Sequence, residues 1–218
     1  MDNFKINPVK IILRLKQWAG WFIAILFPFA AWGIVKFTNS PILVALIYWI
    51  GIGILLRFTF DKKLPIFHPQ IRKVKKEIVV FVIITIIGGY YYSKGVKIET
   101  NAWYLIFNSM LYGFVNGFLE ILAWVNIVDL AGARIKLNGY LALFLYVALI
   151  DGLFWSRFMP QFPGSIYVLI IIQLVMLITG LSVYKKTEDV TIWSIQHILF
   201  NLLVIMLTGF GVNLFIHI

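Results

Sequence analysis

The stretch IWSIQHILFNLLVIMLTGFGVNLF, residues 192–215, contains no Asp, Glu, Lys or Arg. At about 1.5 Å of rise per residue, a helix of this length covers the ~30 Å of hydrocarbon in a bilayer. Working back along the chain, comparable apolar runs predict spans at 18–37, 41–60, 77–93, 102–128, 139–158 and 165–184. The expectation is an all-α, polytopic transmembrane helix bundle of about seven spans, six to eight, forming a single membrane domain over 1–218. Composition points the same way: 61% of residues are hydrophobic and only 13% charged, too few to cover the surface of a soluble domain of this size.

The charge pattern supplies an orientation. Of nineteen Lys and Arg residues, fifteen fall on one side of the predicted spans, and only Lys36, Lys94, Lys97 and Arg157 fall on the other. The positive-inside rule then predicts a cytoplasmic N-terminus and, with seven spans, an external C-terminus. The basic start MDNFKINPVKIILRLKQW is followed by a long span with no small-residue cleavage site, which predicts a retained anchor. The longest polar piece, DKKLPIFHPQIRKVKKE at 61–77, sets six basic residues around two prolines and Ile66, Phe67 and Ile71. It reads as a basic cytoplasmic loop on an anionic leaflet, with His68 a solvated loop histidine. The net charge of +10 therefore indicates membrane lipid as partner, and no nucleic acid. The absence of Cys excludes thiolate chemistry, and three scattered His without paired spacing predict no metal and no cofactor.

Ionisable groups inside spans are costly and are placed for a reason, roughly 2.5–3.5 kcal/mol each at a helix centre. Glu120, in LYGFVNGFLEILAW at 111–124, and Asp151, in ALIDGLFWS at 148–156, are the two carboxylates of this kind. Helical spacing puts Gly113, Asn116, Gly117 and Glu120 on one face, where the two glycines admit a close neighbour helix. His197 and Asn201 share a face four residues apart. Counted from the predicted cytoplasmic ends, Glu120 lies on the order of 12–15 Å deep, Asp151 about 18 Å, His197 about 8 Å and Asn201 about 14 Å. All four are expected in the cytoplasmic half. A carboxylate base, a histidine and an amide are the parts needed to activate water and hold an oxyanion. The same groups also serve as hydrogen-bonding glue between helices.

The run ITGLSVYKKTEDVTIWSIQHILFNLL, residues 178–203, has a glycine in a helix, a short basic loop and a helix carrying HxxxN. It resembles the C-terminal part of the CPBP family, the CAAX proteases and bacteriocin-processing enzymes also called Abi. GFLEILAW, residues 117–124, is similar to that family's EExxxR helix, with Glu120 at the first glutamate and Trp124 at the aromatic before the arginine. The likeness covers a core of residues 102–205. It implies a metal-independent intramembrane endopeptidase of a prokaryotic cell membrane, in which Glu120 activates water and His197 and Asn201 stabilise the oxyanion. The chain departs from the pattern at three places. Ile121 replaces the second glutamate, Val125 the arginine, and Phe154 stands where an FxxxH motif has histidine. Asp151, three residues before Phe154, is a candidate substitute for that histidine.

Two function classes remain open. One is an active peptidase, for CAAX-type or bacteriocin processing or immunity, acting on a peptide or lipidated protein through Glu120, Asp151, His197 and Asn201. The other is a non-catalytic membrane scaffold that keeps the fold and binds a membrane protein partner. Loss of an assisting group costs roughly 10²- to 10⁴-fold in acid–base catalysis, and loss of the orienting residues costs more, which favours the scaffold. A small-molecule transport subunit fits the spans but not the HxxxN helix.

Overall fold

The structure, a computed structural model, describes residues 8–61, 63–95, 99, 101–157 and 166–209. Seven long helices account for most of these residues: α1 (Pro8–Thr38), α2 (Pro41–Phe60), α3 (Lys75–Tyr92), α4 (Ala102–Ala131), α5 (Lys136–Leu153), α6 (Ile166–Thr187) and α7 (Thr191–Thr208). They correspond one to one to the seven expected spans, and no strand occurs among the described residues. The chain is thus an all-α bundle. Six of the helices are long and apolar enough to cross a membrane; α3 differs because Lys75, Lys76 and Glu77 occupy its first turn.

Helix boundaries follow local chemistry. Proline sits at the first position of α1 and of α2, where its missing N–H costs nothing. The Pro8 start makes α1 ten residues longer at its N-terminus than the predicted 18–37, so Lys10, Arg14 and Lys16 are helical and Lys16 lies 5.9 Å over the Phe60 ring. Asn101 caps α4 by accepting the Tyr104 N–H at 3.0 Å. The last helix stops earlier than the predicted 192–215, because Gly209 takes a left-handed conformation (φ 70°) at its C-terminus. Residues 210–215 lie outside the described residues, as do residues 1–7, Lys62, Lys97 and the junction 158–165.

Two stretches widen from α to π geometry, Ile47–Leu55 in α2 and Ser109–Asn116 in α4. Asparagines of neighbouring helices donate to carbonyls in both. Asn126 reaches Ile52 O at 2.7 Å and Gly53 O at 3.0 Å, and Asn201 reaches Tyr112 O at 3.4 Å. Such wide turns are rare and tend to mark sites where a helix does more than pack.

Helix α4 is the axis of the bundle. From Glu120 to Ala131 every residue except Asp129 is buried, with α1, α2, α5 and α7 packed around it. Helix α3 packs on α6 and α7 at one side. The Gly113/Gly117 face meets α7: a Cβ at Gly117 would stand 2.9 Å from Ile198 Cα, and one at Gly113 would stand 2.5 Å from the Leu202 side chain. Only glycine at 117 lets the two backbones approach this closely.

The segment 63–74 is fastened down. Val190 N–H donates to Pro65 O (2.7 Å), Phe67 N–H to Thr191 Oγ1 (2.7 Å) and His68 N–H to Asp189 Oδ2 (2.8 Å). The Nδ1 of the exposed His68 ring lies 2.7 Å from the Phe67 carbonyl. Phe67, at φ 63°, stacks on Phe118 with ring centres 6.3 Å apart.

Candidate functional site

The close α4–α7 approach at Gly117 brings two polar side chains together inside the bundle. His197 Nε2 lies 3.0 Å from Glu120 Oε2, and each residue is 5% exposed. Asn116, one turn before Glu120, donates its Nδ2 to the same Oε2 at 2.8 Å and accepts the Trp49 indole N–H at 2.8 Å. A continuous chain of hydrogen bonds therefore runs α2–α4–α7 through Trp49, Asn116, Glu120 and His197. Its first two members, Trp49 and Asn116, stand in the wide turns of α2 and α4.

Aromatic rings wall the group. The Trp124 ring centre lies 5.4 Å from that of His197 and 5.7 Å from that of Trp193. Tyr48 and Tyr146 stack at 6.0 Å, with Phe27 against both. The Tyr48 hydroxyl lies near the Tyr146 hydroxyl and the Trp124 indole N–H, but none of these three groups, nor His197 Nδ1, makes a hydrogen bond of normal geometry among the described residues. Leaving such groups unsatisfied costs about 1–3 kcal/mol each, so this part of the bundle has donors to offer a water or a ligand. Both bonds to Glu120 fall on Oε2, so Oε1 is not engaged by any of the described residues.

The other two predicted residues sit differently. Asn201 is buried one turn beyond His197, and its amide is turned to the Tyr112 carbonyl rather than to Glu120. Asp151 is half-buried and lies two residues from the end of α5, about 22 Å along that helix. It feels the charge of Glu120 but shares no hydrogen bond with it. α5 begins at Lys136 and ends at Leu153, five residues short of the predicted 158, so Asp151 lies in its last turn while staying within electrostatic reach of Glu120.

Trp49, Tyr48 and Tyr146 were not singled out from the sequence. The available signal was their position inside apolar runs, away from the interfaces where Trp and Tyr collect. A second polar cluster was missed as well. Arg57, 6% exposed, pairs with Asp129 and with Asp61 (2.9 Å), and its Nε donates to Lys63 O (3.2 Å); Tyr184 OH donates to Asp129 at 2.6 Å. Its signal was an arginine at the edge of an apolar run, which reads as topology when taken alone.

Among the described residues, cavities include a polar cleft near Arg57, an apolar groove between α3 and α7, and a hollow along α1. None is lined by Glu120, Asp151, His197 or Asn201. No protein-family model matches the chain, and no curated protein or solved structure matches it either.

Proposed function

We propose that the protein is a non-catalytic membrane scaffold, a CPBP-like bundle whose glutamate site has become an interhelical polar lock and which binds a membrane protein partner. The observation that carries this reading is the enclosure of Glu120. Asn116 and His197 hold one oxygen, the residue is 5% exposed, and none of the three cavities described above is lined by it. A peptidase needs substrate and water to reach its base, within hydrogen-bond distance of the reacting atoms. Ile121 and Val125, at the positions of the family's second glutamate and arginine, are completely buried among apolar neighbours, and Phe154 is buried against Trp155. These positions are core in this chain. The positive-inside pattern supports a cell-membrane protein with its N-terminus and basic end in the cytoplasm.

One observation favours the peptidase reading instead. Glu120 Oε1 is unengaged beside His197, the arrangement a base and its partner adopt around a water. Glu120→Gln separates the two, because it keeps the shape and removes the base. In a strain lacking the protein, the scaffold reading expects Glu120→Gln to restore the wild-type phenotype and Gly117→Leu to fail. A peptide or lipopeptide cleaved by purified wild type but not by Glu120→Gln would overturn the scaffold in favour of the peptidase.

A further inference from the structure

A polar cleft of about 600 Å³ lies at the basic end of the bundle, where α2, α4 and α6 finish and α5 begins. Its volume falls in the range of small-ligand sites, roughly 300–1,000 Å³. Formal charges in its lining balance, four basic against four acidic side chains, but the two signs are used differently. Asp129 is held by Arg57 and by the Tyr184 hydroxyl, and Asp61 is held by Arg57. Asp189 accepts the backbone N–H groups of His68 and Thr191, each at 2.8 Å. Three of the four carboxylates are therefore committed to holding the fold. The amines of Lys63, Lys136 and Lys185 have no ion-pair partner among the described residues, and Glu188 is the one carboxylate of the lining without a side-chain bond. Arg57 offsets one of the three held carboxylates, and the charged groups still free to turn toward a ligand are three ammonium groups against the single carboxylate of Glu188.

We propose that this cleft binds a phosphate-bearing anion, either the headgroup of an anionic phospholipid from the adjacent leaflet or a soluble phosphate ester. Three ammonium groups around one cleft supply point charges and rotatable donors suited to phosphate oxygens. Lateral access from lipid is built in. Lys136 lines the cleft while its neighbours Ile135 and Leu137 are 52% and 61% exposed, apolar side chains placed to sit among acyl chains. The inference does not depend on whether Glu120 is catalytic.

The test uses the purified full chain in neutral detergent and measures binding of short-chain phosphatidylglycerol, short-chain phosphatidylcholine and glycerol phosphate by native mass spectrometry and thermal unfolding. Phosphatidylglycerol should bind and raise the unfolding midpoint, and phosphatidylcholine should do so far less. The triple variant Lys63→Gln, Lys136→Gln, Lys185→Gln should weaken binding on the order of 100-fold, about fivefold per amine. An equal charge loss at Lys73, Lys75 and Lys76, outside the lining, should leave it unchanged. Glu188→Gln, which removes the opposing charge, should tighten it. Glycerol phosphate binding as well as the lipid assigns the site to a soluble ester, and binding of the lipid alone assigns it to a headgroup. Either supports the proposal. No binding of any anion, equal weakening by the two triple variants, or no effect of the cleft triple would overturn it.

Discussion

His197 on α7 meets Glu120 on α4 at 3.0 Å, with both side chains almost wholly withdrawn from the surface. The contact exists because Gly117, one turn before Glu120, has no Cβ to hold α7 away. A carboxylate enclosed in this way needs hydrogen bonds to persist, and Asn116 supplies the second from its own helix. The pair thus links the axial helix to the helix carrying HxxxN, and Trp49 extends the link to α2.

Gly117 should be intolerant of substitution where Gly33 is not. A Cβ at 117 collides with the Ile198 backbone, which has no rotamer to escape by, so Gly117→Ala should destabilise by about 1–3 kcal/mol and Gly117→Leu by more. Gly33 in α1 has open space around its Cβ position, so Gly33→Ala should stabilise by about 0.5–1 kcal/mol through helix propensity. Unfolding midpoints of the two alanine variants in one detergent check the contrast.

Removing Arg57 should cost more than altering its partner. Arg57→Met strands Asp129 and Asp61 and strips the charge from a nearly enclosed network, which is expected to cost about 3 kcal/mol, the lower end for a broken buried pair because Asp129 is 31% exposed. Asp129→Asn keeps an acceptor for both Arg57 and Tyr184 and should cost about 1 kcal/mol. Denaturation of both variants gives the ranking. Equal losses would mean that Asp129, and not the arginine, organises the cluster.

Helix number and placement were legible in the sequence because apolar length alone sets them. α2 begins and ends at the predicted 41 and 60. The shared face of Gly113, Gly117 and Glu120 was also legible, since three- and four-residue spacing survives the wide turns that precede it. What spacing could not give was the exact ends of α5, which runs over Lys136–Leu153 rather than 139–158. Nor could it give the partners of groups on separate helices. Trp49 reaching Asn116 and Arg57 reaching Asp129 are contacts across 67 and 72 residues. The π stretches leave no mark in a 3.6-residue pattern.

Orientation can be read by labelling, since the chain has no cysteine of its own. Single cysteines replacing Lys73 and Arg134, at the basic end, should react with an impermeant maleimide only after the membrane is opened. A cysteine replacing Lys36 or Lys94 should react in intact cells. The reverse pattern would invert the topology while leaving the bundle unchanged.

The account rests on Glu120 and His197 acting as one energetic unit. A double-mutant cycle of Glu120→Gln, His197→Ala and the combined variant, followed by reversible unfolding in bicelles, measures that directly. Interhelical hydrogen bonds in membrane proteins contribute about 0.6 kcal/mol on average and up to about 1.7, and the shared Asn116 bond should place this pair at the upper end. A coupling of about 1–2 kcal/mol is the predicted result. Losses that add to within about 0.3 kcal/mol would show the two residues to be independent and would contradict the polar lock between α4 and α7.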